Sequence, residues 1–334
     1  MRRHIGTRWP SAFAAAALTV SFGLSSASAE VSLKLLTSWS PNSSESADFV
    51  VNTIIEEAAK SSNGNVVIKK FGPEVVPPFE QLQPVSAGTF DILYTHPAYH
   101  GGATAIGSLI DTIAADRNMR RSSGVFAWID AYYQKNFNLK LLGITTQTGY
   151  QFLLKNAIKG DEALKGRKIR SNPAYDPLIK SLGGAPVLLP VPQIYTSMQK
   201  GLVDGSAFPL NTLVKQSFFE VAKFMARPTF GAANTFEMMN LKKWQSLDSK
   251  TQQIVVAAVE KAEIELPWFA ERLRLEEEEG MIQRGVRFTF FDKDNAQRLT
   301  TLFNEGLWEQ SVKKSGADAQ ALIDLVKKTG MVNR

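Results

Sequence analysis

Between Val31 and Phe208 the chain alternates short strand-like runs with helix-length segments, in two successive rounds. That alternation constrains the fold most, because strand–helix–strand order covers a sheet with its own connections. In the first round Val31 to Leu36 alternates like a strand. Glu45 to Lys60 then places Phe49, Val50, Ile54, Ile55 and Ala58 at helical spacing. Val66-Val67-Ile68 opens a second strand, Phe79 to Ala87 reads as a short helix containing Pro84, and Phe90 to Tyr94 reads as a third strand. In the second round Leu139 to Thr145, Phe152 to Leu154, the run ending at Arg170, Val187 to Leu189 and Val203 to Phe208 read as strands. Tyr175 to Leu182 and Ile194 to Lys200 are helices stopped by Gly183-Gly184 and Gly201. Each round supplies one α/β unit, so the expected fold class is α/β, with two lobes and a cleft between them.

The segment from Leu247 to Arg284 breaks this rhythm. It is continuously helical in pattern, with Asp248 or Ser246 as N-cap, and Pro267 inside it predicts a kink or a break. Glu276 to Glu279 reads as a solvated face of that helix. Phe288-Thr289-Phe290 is strand-like, and Asn295 to Lys314 and Asp318 to Lys328 read as closing helices. The long helix is expected to brace both lobes. The chain is expected to cross between them near Gly149 and again near Asn234. That assigns 30–149 with about 237–280 to one lobe, and 150–236 with about 281–334 to the other.

Residues 1–29 read as a cleavable secretory signal peptide. Arg2, Arg3 and Arg8 precede an apolar stretch from Ala12 to about Leu24, and Ala27-Ser28-Ala29 supplies the small-residue cleavage pattern. The three arginines carry half of the net charge of +6, so the remainder is only mildly basic. That balance gives little support to nucleic-acid or membrane-surface binding. No later apolar run has the length of a transmembrane helix. The chain has no cysteine, which excludes disulfides, a thiolate nucleophile and cysteine-ligated metal centres. A periplasmic location is expected, with no stable membrane insertion.

Signatures of catalysis are absent: there is no G-x-S-x-G, H-E-x-x-H, P-loop or G-x-G-x-x-G pattern. One enzymatic alternative is a hydrolase using His96 with Asp91 and a serine. His96 and His100 are four apart, but Pro97 between them spoils a shared helical face for a metal.

Several motifs in order carry a family resemblance. Leu164-Lys165-Gly166-Arg167-Lys168-Ile169-Arg170 is followed by Leu182-Gly183-Gly184-Ala185-Pro186-Val187, then Ile194 to Gly201, then Val203-Asp204-Gly205. Ser86 to Asp91, Glu220 to Phe224 and Trp244 to Leu247 add further matches. The chain resembles the periplasmic solute-binding proteins of tripartite ATP-independent periplasmic (TRAP) transporters, the DctP-like class. The resemblance implies a two-lobed periplasmic-binding-protein fold with the long helix bridging the lobes. It implies a small organic acid as ligand, TRAP membrane permease subunits as partners, and no enzymatic activity. An alternative is a binding protein of the same fold serving a sensor or an ABC-type permease.

Val76-Pro77-Pro78-Phe79-Glu80 is similar to the branch that binds 2-oxo and 2-hydroxy monocarboxylates. Ala207-Phe208 stands where that branch has a Glu-Trp pair that helps hold a metal, so no metal and no cofactor are expected here. Arg170 is the leading ligand contact. Its guanidinium stays charged, matches a carboxylate bidentately, and lies at a strand end, where α/β sheets place ligands. Phe208, at another strand end, makes one wall apolar. Trp39 and Tyr94 offer large faces with a polar tip. His96, Gln147, Tyr150, Gln151, Asn211 and Asn234 complete the expected ligand-binding set.

Overall fold

The computed structural model describes residues 30–333 together with Met1, Arg2 and Gly6. The signal-peptide reading of residues 1–29 falls, those three aside, outside the described residues. Among the described residues eleven strands form two sheets. The first takes β1 (Val31–Thr37), β2 (Val66–Phe71), β3 (Ile92–Thr95), β4 (Leu139–Thr146) and, late in the chain, β10 (Asn234–Asn240), in the order β2-β1-β3-β10-β4. The second takes β5 (Tyr150–Leu154), β6 (Lys168–Ser171), β7 (Ala185–Leu188), β8 (Gly205–Pro209), β9 (Phe224–Arg227) and β11 (Arg287–Phe290), in the order β11-β9-β5-β8-β6-β7.

Both sheets are mixed. In the first, β1 is parallel to β2 and β3, while β10 runs antiparallel between β3 and β4. In the second, β6 is parallel to β7 and β8, while β5 is antiparallel to β8 and β9. The chain passes from the first sheet to the second between Thr146 and Tyr150, and returns between Arg227 and Asn234. Each sheet is covered by helices, as the alternating pattern requires. The fold is the two-lobed α/β architecture of periplasmic binding proteins.

Local chemistry fixes the main helices. Glu45–Ser61 begins at Ser44, whose hydroxyl accepts from the Ala47 N–H, and Glu45 and Asp48 sit in its first turn where the helix dipole favours them. Ser249–Gln283 begins at Asp248, whose carboxylate accepts from the Thr251 N–H at 2.8 Å. Of the kink or break expected at Pro267, no break occurs: the helix continues through it. Pro267 itself is exposed. The helix packs on Glu45–Ser61 and β4.

Two sequence readings are corrected here. The run Glu276 to Glu279 is not wholly solvated: Glu277 is buried and accepts from the Val214 N–H at 2.8 Å, and Glu278 pairs with Arg227 and Arg274. The C-terminal segment does not stay with the second lobe. The helix Lys293–Lys328 puts Leu299, Phe303 and Leu307 into the second lobe's core. Gly316, at φ 52° and ψ −128°, interrupts it. Beyond that glycine, Ala319, Leu322, Ile323 and Val326 join the first lobe's core with Phe236 and Ile144. Among the described residues no helix is long and apolar enough to cross a membrane.

Candidate functional site

Parallel neighbours in a sheet end on the same edge, and that rule assembles the site. In the first lobe β1 and β3 are such neighbours, so Trp39, just past β1, and His96 and Tyr99, just past β3, share an edge. In the second lobe β6 and β8 are such neighbours, which brings Arg170 and Phe208 together, with Asn211 just beyond. The two edges meet around a narrow cavity of about 30 Å³. Its walls take Trp39, His96 and Tyr99 from the first lobe, and Arg170, Tyr175, Phe208 and Asn211 from the second. Gln147 and Tyr150 come from the crossing segment.

Arg170 is only 1% exposed. Its Nε donates to the Leu189 carbonyl at 2.9 Å and its Nη1 to the Ala207 carbonyl at 3.2 Å. Its Nη2 has no hydrogen-bond partner among the described residues. The Phe208 ring centre lies 5.8 Å from the guanidinium carbon. There is no carboxylate in an ion pair with Arg170 among the described residues. A buried cation held by carbonyls, with one donor free, has the chemistry to accept an anion.

Opposite Arg170 lies a hydrogen-bonded relay. His96 Nδ1 accepts from the Ala98 N–H at 3.2 Å, which leaves the proton on Nε2. Nε2 faces the Tyr150 hydroxyl at 2.8 Å, and that hydroxyl donates to Asp111 Oδ2 at 2.8 Å. Asp111 is fully buried and also accepts from the Asn234 backbone and side-chain N–H groups. Burial and the adjacent Asp111 hold the Tyr150 phenol far above its usual range, so it stays protonated. Burial raises Tyr99 as well, against the opposing pull of the Arg170 charge. His100, behind the site, is pushed down to about 3 by burial, with His96 adding to the effect.

Seven of the expected residues gather at this cavity: Trp39, His96, Gln147, Tyr150, Arg170, Phe208 and Asn211. Three do not. Tyr94 is buried behind Trp39, their ring centres 5.0 Å apart, and belongs to the first lobe's core. Gln151 is turned to Arg227, whose Nη1 donates to its Oε1 at 2.6 Å. Asn234 is consumed as a brace. Its Oδ1 accepts from Arg120 and Thr146, and its Nδ2 donates to Ile110, Asp111 and Ala232. The hydrolase alternative also loses its partners. Asp91 accepts from the Lys34 N–H, while the acid beside His96 is Asp111 at 3.2 Å. Among the described residues no three His, Asp or Glu side chains converge as a metal site would need.

Tyr99, Tyr175 and Asp111 were missed. Tyr99 and Tyr175 sit in the first turns after β3 and β6, the strand-end positions that singled out Arg170, so the same rule pointed to them. Asp111 lies in a short 3-10 turn, Gly107–Thr112, that carries no periodic signal.

Known proteins resemble this chain in sequence, in structure and at the level of a family model. An uncharacterized protein of Haemophilus influenzae is 27% identical over 51% of this chain and 52% of its own length. The 2,3-diketo-L-gulonate-binding periplasmic protein YiaO of Escherichia coli is 29% identical over 31% of this chain and 33% of its own. The chain thus spans about half and about a third of the lengths of these curated relatives. A TRAP periplasmic solute-binding protein from Desulfovibrio salexigens, solved with bound orotic acid, superposes with a TM-score of 0.79 at 20% identity, covering 90% of this chain and 98% of that one. The sequence model of the DctP family, described as bacterial extracellular solute-binding protein, family 7, matches residues 37–314. With that match over most of its length, the chain belongs to the DctP family of bacterial extracellular solute-binding proteins.

Proposed function

We propose that this protein is the periplasmic solute-binding component of a TRAP transporter, capturing a small organic monocarboxylate and handing it to a membrane permease without altering it. The observation that carries the reading is the unpaired Nη2 of buried Arg170 at the cavity. The ligand carboxylate satisfies that donor and supplies the missing countercharge. The body of the acid lies against Phe208, Tyr175 and Trp39, whose faces suit a flat or aliphatic group. Capture then closes the lobes about the crossings near 147–149 and 228–233. The relay around His96 accepts no substrate proton in this scheme, because its members are bonded to one another. The chain is exported, and its signal peptide is removed.

Isothermal titration against a panel of small carboxylates tests the carboxylate assignment. Arg170→Ala lowers affinity for any hit at least about 30-fold, because it removes one partner of a buried charge pair. Arg170→Lys, which keeps the charge but loses the planar fork, gives an intermediate loss. Unchanged affinity in both variants overturns the assignment.

A further inference from the structure

We propose that the ligand carries, besides its carboxylate, an N–H or O–H donor, and that Asn211 is the residue that selects for it. This rests on the carboxylate reading of Arg170 and sharpens it to a ligand class: a compact, flat acid bearing a donor.

Asn211 is 3% exposed and lines the cavity in the turn after β8. Its backbone N–H is tied to the Pro209 carbonyl at 3.0 Å. Its Nδ2 donates to Gln147 Oε1 at 2.9 Å, and the Gln147 backbone is itself held by the Ala233 carbonyl at 2.8 Å. That bond orients the amide and leaves Asn211 Oδ1 buried with no partner among the described residues. Two neighbouring hydroxyls are committed elsewhere: Tyr150 donates to Asp111, and Thr235 bonds Thr145. Among the described residues, two fully buried side-chain atoms of the cavity lining lack partners, both from one lobe. Arg170 Nη2 is a donor that needs an anion. Asn211 Oδ1 is an acceptor that needs a donor. A buried acceptor left empty by a ligand penalises that ligand, so the pair reads two groups on one small body. The narrow space between Trp39, Tyr175 and Phe208 favours a planar ring to carry them.

Matched acids test this by titration calorimetry on the purified protein. The pairs are pyrrole-2-carboxylate against furan-2-carboxylate, pyroglutamate against its ring-oxygen lactone analogue, and 2-hydroxy-3-methylbutanoate against 3-methylbutanoate. The donor-bearing member of at least one pair binds at least about tenfold tighter. In Asn211→Leu that preference falls to within about twofold, while both members still bind and both still depend on Arg170. A preference in the first two pairs places the donor on a ring nitrogen, and one in the third places it on a hydroxyl. Equal affinities within every pair, with both members lost in Arg170→Ala, overturn the Asn211 proposal and leave carboxylate capture standing. Binding of no member of any pair removes both. The wild-type comparison needs no variant, so it decides even if Asn211→Leu does not fold.

Discussion

Glu237 stands in the middle of β10 with 0% exposure and no cation beside it. Thr145 Oγ1 donates to its Oε1 at 2.7 Å, and its Oε2 has no partner among the described residues. Gly143 opposite leaves the room: a Cβ there would lie 2.4 Å from Val259 Cγ1 and 3.1 Å from the Glu237 carboxyl. Burial, with Glu263 adding its charge, raises the Glu237 carboxyl well above 4.5, so the folded protein holds it protonated. The folded pKa exceeds the unfolded one. Its favourable contribution is complete below about pH 4.5 and is lost as pH rises toward the folded value. Glu237→Gln removes that pH-dependent cost. Urea unfolding should find the variant's advantage over wild type growing by about 1.4 kcal/mol per pH unit above pH 4.5, until the folded carboxyl ionises. A gap that stays constant between pH 4.5 and 7.5 would show an ionised Glu237. Nothing in the sequence around Glu237 announced this, since a strand glutamate is ordinarily an outward-facing one. Arg170 was legible because its motif places it at a strand end.

At the scale of elements, the strands and capped helices were largely legible, since alternation, N-caps and glycine stops are local signals. Asp248 and Gly183 act where their residue types favour action. The span from Pro97 to Phe137 was not legible. It opens with two short 3-10 turns, which have no apolar period, and it holds Asp111 and Arg120. Those two bind the crossing strands together. Arg120, buried and pulled down to about 10 chiefly by burial, donates to Thr146 at the end of β4 and to Asn234 at the start of β10. Asp111 holds Asn234 from the other side. Asn234 was expected at the ligand as a polar candidate near Phe208, and it lies at the crossing as the brace. Asn234→Ala leaves Arg120 and Asp111 short of partners and costs about 1–3 kcal/mol. Thermal unfolding should shift down by several degrees, while ligand affinity changes by less than about threefold. A loss of affinity as large as that of Arg170→Ala would return Asn234 to the ligand site.

At the scale of the whole molecule, the lobes touch across the mouth of the cleft. The Glu45 N–H donates to Thr212 Oγ1 at 2.7 Å, Gln216 Nε2 to the Ser43 carbonyl at 2.7 Å, and Lys215 Nζ to Asn42 Oδ1 at 3.0 Å. These bonds join the start of Glu45–Ser61 and the turn before it to the loop after β8, so a hinge opening of the cleft would part them. Glu277 ties the same loop to the long helix through Val214. The closed geometry is thus stabilised by bonds that involve no ligand atom. Each is worth about 0.5–1.5 kcal/mol net, which sets how long a captured ligand is kept more than how it is recognised. Removing two of them, in Gln216→Ala with Thr212→Val, should raise the dissociation rate of a bound acid about 5- to 150-fold. The association rate should change by less than about threefold, because the cavity residues are untouched. Stopped-flow fluorescence of Trp39, which lines the cavity, reads both rates. A slower association with an unchanged dissociation rate would mean that these bonds guide entry instead of holding the closed state.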